Sequence, residues 1–262
     1  MTNNNKEIEA LQTERYSSLF EIAKSGPKNV PDSRGVEKGT PNRKGMSQNR
    51  QAAHLTQLPA SEQILGLDIV TFIDSQFSER QKRQSTSARQ LERDKQGLLN
   101  KGLIKEVWLG KSLFLAPMKE LYQLLRMDCP YQRNTWSLHS FLVLLAEKLI
   151  EPNPLIKYTK REVSLGDANS TVDLISYFKN GQRWAWEIIH RCTTNIVGAA
   201  ARLQGKAFSQ VIFLTTDFNT KEKVWATLRN AGFAPDFFAT IRCTIFSTLI
   251  RQRKQMKLKE LT

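Results

Sequence analysis

Two runs decide the reading of this chain: Thr171-Val172-Asp173-Leu174-Ile175-Ser176-Tyr177-Phe178 and Arg183-Trp184-Ala185-Trp186-Glu187-Ile188-Ile189-His190. Each is a short stretch of β-branched, aromatic and aliphatic residues, the pattern of a buried strand. Between them stands Lys179-Asn180-Gly181-Gln182, a turn signal, so a hairpin is expected. Each run carries one acid, Asp173 or Glu187, and a hairpin brings both to one end of a sheet. An ionised carboxylate in such a strand is costly unless a metal, a cation or a hydrogen-bond donor balances it. Two acids on adjacent strands are what a divalent metal such as magnesium needs from a protein that binds phosphate esters.

Working outward, Trp136, Leu138, Phe141, Leu142, Leu145 and Leu149 recur at helical spacing on a segment that also carries Glu147. Glu151-Pro152-Asn153-Pro154 stops that helix. Lys160 to Leu165 reads as a strand ahead of the hairpin. Beyond it comes an Ala-rich helix, Asn195 to Lys206, with Thr193 or Thr194 as its N-cap. Gln210 to Thr215 is apolar without polar alternation, as a central strand is. Lys221 to Asn230 reads as a helix ended by Gly232, and Phe237 to Ile250 is ambiguous between strand and helix. The expected α/β domain spans residues 135–250, followed by a basic tail at 251–262.

Residues 1–60 hold few apolar side chains and many Gly, Pro, Asn and Arg residues, so a flexible basic arm is expected there. Residues 61–127 read as a smaller unit. Ile64, Leu65, Leu67, Ile69, Val70, Phe72, Ile73 and Phe77 give a helix with a broad apolar face, and a polar basic stretch, 78–84, follows. Ser85, Thr86 or Ser87 caps the next helix, Ala88 to Asn100. Leu91, Leu98 and Leu99 are expected to face a core, with Arg89, Arg93 and Lys95 on the surface and Gly102 as the C-terminal cap. Ile104 to Trp108, Leu109-Gly110-Lys111 and Ser112 to Leu115 read as strand, tight turn, strand.

These 65 or so residues resemble a winged-helix domain. The likeness rests on Ser85-Thr86-Ser87, the basic helix, Leu98-Leu99-Asn100-Lys101-Gly102-Leu103-Ile104 and the Gly110-Lys111 hairpin tip. In such domains one helix lies in the major groove and the wing beside the backbone. The resemblance implies duplex DNA as a partner, contacted by Arg89, Arg93 and Lys95, with Lys111 at the wing tip. Winged helices also serve as protein-docking modules, and a basic helix face is often simply solvated.

The order helix, three strands, helix, strand in the second region resembles the core of the PD-(D/E)xK nuclease superfamily, the restriction-endonuclease-like fold, over about 110 residues. The matching motif residues are Asp173 on the second strand and Glu187 on the third, with Glu147 matching an acid often found on the first helix. The resemblance implies magnesium held by Asp173 and Glu187, and catalysis of phosphodiester cleavage with Glu147 as a third acid. The chain departs from the pattern where the family usually has a lysine, two residues after the second acid: Ile189 stands there. Alternation along a strand puts Ile189 on the face of Glu187 and His190 on the other. By position, Arg191, Arg202 or Lys206 is left to supply the cation. Each acid also has a plain reading: Asp173 paired with a neighbouring Arg or Lys at a strand end, Glu147 a solvated helix residue. Trp184 and Trp186 alternate onto one face and read as core, and His190 and Cys192 as packing residues.

The bulk properties narrow the classes. Lys and Arg number 39 against 25 Asp and Glu, a net charge of +14 that suits a polyanionic partner. Three scattered cysteines and three scattered histidines form neither a zinc pattern nor a disulfide framework. No apolar run is long enough to span a bilayer, the N-terminal residues lack the apolar core of a secretory signal, and a cytoplasmic protein is expected. No Gly-rich phosphate loop with Lys-Ser or Lys-Thr is present, so any nucleotide hydrolysis falls to a partner such as an ATPase. Three expectations compete: a Mg-dependent DNA endonuclease of a mobile element, transposon or defence system; an inactive nuclease-fold adaptor in a larger DNA-processing machine; and a winged-helix transcriptional regulator.

Overall fold

The computed structural model describes residues 58–131, 137–166, 171–191 and 195–260. The expected arm, residues 1–60, falls almost wholly outside them, as do Trp136, Cys192, Thr193 and Thr194. Through Lys257 the described residues belong to one compact unit.

The hairpin forms as β4 (Thr171–Phe178) and β5 (Arg183–Ile189). At its turn Gly181 adopts φ +84°, a conformation that disfavours any residue with a Cβ. Leu174 pairs with Trp186, Ile175 with Ala185, Ser176 with Trp184 and Tyr177 with Arg183. β3 (Ile156–Ser164) pairs antiparallel on the outer side of β4. β6 (Gln210–Thr215) lies parallel to β5, reached through α6 (Ile196–Leu203), and β7 (Ile241–Ile245) lies parallel to β6. The sheet is mixed, with the order β3-β4-β5-β6-β7.

Side-chain alternation on β5 divides the core into two layers. Trp186 and Ile188 join a cluster with Phe141 and Leu145 of α5 (Leu138–Ile150), and Trp184 packs on it. Ala185 and Ile189 join the opposite cluster, with Ala199, Ala200 and Leu203 of α6 and Val224 and Leu228 of α7 (Phe218–Arg229). β6 is buried at Val211 to Thr215 because both faces are covered, which is why its sequence shows no polar alternation. The ambiguous stretch at 237–250 falls within a short helix α8 (Pro235–Thr240), the edge strand β7 and the start of α9 (Phe246–Glu260).

The N-terminal part is α1 (Ala60–Thr71), α2 (Phe77–Gln84), α3 (Ala88–Asn100), then β1 (Ile104–Leu109) and β2 (Ser112–Pro117) as an antiparallel pair, and α4 (Lys119–Leu124). Ser87 caps α3, its side chain accepting from the Gln90 N–H at 3.1 Å. The helix ends as expected at Gly102, φ +67°, with Gly102 N–H donating to the Leu99 carbonyl and Leu103 N–H to Leu98.

The first helix is shorter than its apolar face suggests. It stops at Thr71, and the basic stretch that follows Phe77 is itself helical. The reason is Arg80, which is wholly buried. Its guanidinium donates to the carbonyls of Asp68, Phe72 and Ser75 and to the Asp68 carboxylate. Arg83 adds two bonds to the same carboxylate, at 2.9 and 3.0 Å. The carbonyls released where α1 ends are therefore met by an arginine from α2.

One hydrophobic cluster runs through both parts: Leu65, Leu91, Leu98 and Phe114 share it with Phe141, Leu174, Leu214 and Phe246. α9 returns along the N-terminal part, where Lys254 Nζ donates to Gln76 Oε1 at 3.1 Å. Among the described residues no helix is long and apolar enough to cross a membrane.

Candidate functional site

The β4–β5 ladder has its last registered pair at Leu174 and Trp186. Asp173 stands just beyond that pair, on β4, as Glu187 does on β5. Past that point a carboxylate takes over a backbone bond: Asp173 Oδ2 accepts from the Ile188 N–H at 2.7 Å. The other oxygen, Oδ1, is 3.0 Å from His139 Nε2, in the first turn of α5. Asp173 is thus held by a backbone N–H and by a histidine, where the plain reading expected an Arg or Lys.

Glu187 is placed differently. It is 6 % exposed, and its Oε1 is buried with no hydrogen-bond partner. Burial, and then the like charge of Asp173, push its carboxyl well above the usual carboxylate range. The charge of Arg202, on α6, pulls the other way. Two histidines flank the acids, with ring centroids 6.0 Å apart. The hydrogen bond to Asp173 raises the pKa of His139 against the effect of burial. Burial lowers that of His190, helped by the charges of His139 and Arg191. As alternation requires, His190 lies opposite Glu187, on the face of Trp186 and Ile188, where its ring meets His139 of α5.

Glu147 does not join the pair as a third ligand. It binds Arg161 Nε at 2.9 Å and accepts from Thr159 Oγ1 at 3.2 Å. It lies eight residues beyond His139, roughly 12 Å along a helix rising 1.5 Å per residue. Among the described residues, no group of three or more His, Cys, Asp or Glu side chains is arranged to hold a metal ion. The α5 side chain that lies beside Asp173 is His139. Its sequence signal is weak: one histidine in the first turn of a helix.

Ile189 is buried in the cluster below α6, so the position two residues after Glu187 holds no cation. Of the three substitutes named by position, Arg202 is the one whose charge acts on Glu187. Arg191 stands two residues past the end of the strand and acts on His190. Lys206 lies beyond the end of α6, its N–H bonded to the Leu203 carbonyl.

On α3, Arg89 and Arg93 are exposed, as expected. Lys95 is not. It is buried, ion-paired to Glu92 at 2.8 Å and Glu106 at 2.7 Å, and stands 4.9 Å over the Phe77 ring. Leu91, Asp94, Lys95 and Leu98 form the buried stripe of α3, at i, i+3, i+4 and i+7, and that spacing is legible in the sequence. Lys111 is exposed at the hairpin tip, whose Gly110 lies against Ser247 of α9.

Comparison with known proteins supplies no relative: no family model matches the chain, and no significant match was found among curated proteins or solved structures.

Proposed function

We propose that the protein is a DNA-processing enzyme, a metal-dependent phosphodiesterase whose α5-β3-β4-β5-α6-β6 segment is a restriction-endonuclease-like core and whose α1-to-β2 segment is a winged helix. The observation that carries this reading is two neighbouring acids: the charge of Asp173 acts on Glu187, whose Oε1 is buried and unpartnered. A buried carboxylate oxygen without a donor is expensive, and a like charge beside it adds to the expense. A divalent cation held by the two acids would relieve both costs.

The donor set suits magnesium. Hard carboxylate oxygens are its preferred ligands, and it commonly takes only one or two from a protein, keeping several waters. Asp173 and Glu187 would hold it; each Asp173 oxygen keeps a lone pair beyond the bond it now accepts. A bound magnesium would supply Lewis-acid stabilisation of phosphate charge and lower the pKa of coordinated water. The chain's own residues do the rest. Asp173 is oriented by Ile188 N–H and His139, Arg202 contributes positive charge from α6, and Arg89, Arg93 and Lys111 present cations to a duplex backbone.

The test is cleavage of supercoiled and linear duplex DNA with Mg2+ or Mn2+. Asp173→Asn and Glu187→Gln should each abolish cleavage and leave DNA affinity within about twofold, since each keeps the side-chain shape. The rate loss should far exceed the tenfold that 1.4 kcal/mol represents. Cleavage that survives both substitutions rejects the site.

A second reading rests on Ile189, whose burial leaves the family's lysine position inside the core. On that reading the chain is a nuclease-fold adaptor that binds DNA within a larger machine. A wild-type protein that binds DNA without cutting it, alone or with its natural partners, supports the adaptor.

A further inference from the structure

We propose that His139 is a positioning residue for the acid pair, clamping Asp173 from α5 so that its carboxylate is set for a divalent cation before the cation arrives. The inference rests on the metal-site reading above and adds a residue that the family resemblance does not supply.

The clamp has two jaws from different elements. Ile188 N–H donates to Oδ2 at 2.7 Å from the neighbouring strand, and His139 Nε2 lies 3.0 Å from Oδ1. A carboxylate accepts only, so the bond requires the proton on Nε2. With one donor on each oxygen, rotation about the last side-chain bond of Asp173 breaks at least one bond. The backbone that carries the histidine is itself fixed. Ser137 caps α5, accepting from the Ser140 N–H at 3.0 Å, while Ser140 Oγ accepts from the Ser137 N–H at 2.9 Å. This reciprocal box sets the turn that carries His139. Glu147, the acid expected from this helix, is committed to Arg161 and Thr159. What α5 offers the site is a donor in place of a ligand.

The consequence is energetic. A free carboxylate loses rotameric freedom when it coordinates, and one already oriented loses less. Outer groups that orient a metal ligand typically change metal affinity by about 10- to 100-fold. A histidine that served only to neutralise Asp173 would affect folding stability and leave the geometry offered to a cation unchanged.

The experiment is titration of the full chain with Mn2+ alone, followed by calorimetry or electron paramagnetic resonance. Wild type, His139→Leu, His139→Ala, His139→Gln and Glu187→Gln are compared, with melting curves recorded without metal to report folding. His139→Leu and His139→Ala should weaken Mn2+ binding by about tenfold or more. His139→Gln, whose amide N–H can reach Oδ1, should recover most of the loss. Two substitutions of different size keep the test usable if one of them disturbs α5. Unchanged affinity in the folded Leu or Ala variant overturns the clamp and leaves the acid pair standing. Equal weakening in the Gln variant overturns it as well, because the donor is then irrelevant. Wild type that binds Mn2+ no better than Glu187→Gln overturns the metal site itself, and the clamp with it.

Discussion

Glu187 sits on a central strand between Ala185 and Ile189, where an apolar side chain would be the stable choice. Its carboxyl is raised by burial first and by Asp173 second, so the folded state binds the Glu187 proton more tightly than the unfolded state does. The native state is therefore favoured below the ordinary glutamate range, roughly pH 4.3. That advantage is lost as pH rises through the raised value. Glu187→Gln removes the titration. In chelator at pH 8 it should be more stable than wild type by about 1 kcal/mol, the lower end for an unsatisfied buried polar group. For a chain of this size that is a rise in Tm of roughly 2–4 °C. The difference should shrink as pH falls towards 4.5. Melting curves across that series check it, and a constant offset at all pH values would show that Glu187 does not titrate in this range. A stabilising substitution at a buried acid is the mark of a residue kept for function.

At the scale of elements, α3 separates two roles that its composition blends. Arg89 and Arg93 stand in water, while Lys95 lies in the stripe that packs inward and is neutralised by Glu92 and Glu106. Replacing Arg89 and Arg93 by Ala should weaken duplex binding. It should also reduce the slope of log affinity against log salt by about 0.9 for each phosphate that is no longer neutralised. Lys95→Ala should leave that slope unchanged. It should lower stability, because it removes a buried aliphatic stem from the inward stripe of α3 together with its ion pairs to Glu92 and Glu106. Binding isotherms at several salt concentrations, with parallel melts, distinguish the two; a slope change in the lysine variant would return Lys95 to the DNA surface.

The same contrast shows what the sequence carried. Thr171 to Phe178 and its partner strand were readable because their turn and their unbroken apolar runs are local properties. Ser87 and Gly102 were readable because capping has strict residue requirements. α2 was not, since seven polar residues follow Phe77, and its reason to fold is the long-range bond network from Arg80 to α1. For the site, Asp173 and Glu187 were visible as acids in buried strands. His139 was not, because its distance from Asp173 depends on how α5 crosses the sheet.

For the whole molecule, the shared core decides how the chain unfolds. The sequence suggests two domains, 61–127 and 135–250, which independent folding would show as two transitions. The continuous cluster argues for one: α1, α3 and β2 have side chains packed in the same cluster as α5, β4, β6 and the start of α9. Phe246 lies within it, fully buried, at the residue where β7 gives way to α9. Phe246→Ala should cost about 3–5 kcal/mol, the usual range for a buried phenylalanine. If the cluster couples the two parts, that loss appears in both. Native-state hydrogen exchange should then show the slowest amides of α3 and of β6 accelerated by the same factor. If the parts unfold separately, protection will fall further in one than in the other, and calorimetry of wild type will resolve two peaks. Coupling has a functional corollary. The exposed arginines of α3 and the acids on β4 and β5 are then tied through one packed core, so if the proposed DNA contact at α3 is made, that DNA lies at a fixed distance from the acids. A cleavage position set relative to the bound site, and blurred in Phe246→Ala at temperatures where the variant is still folded, is the outcome this coupling requires.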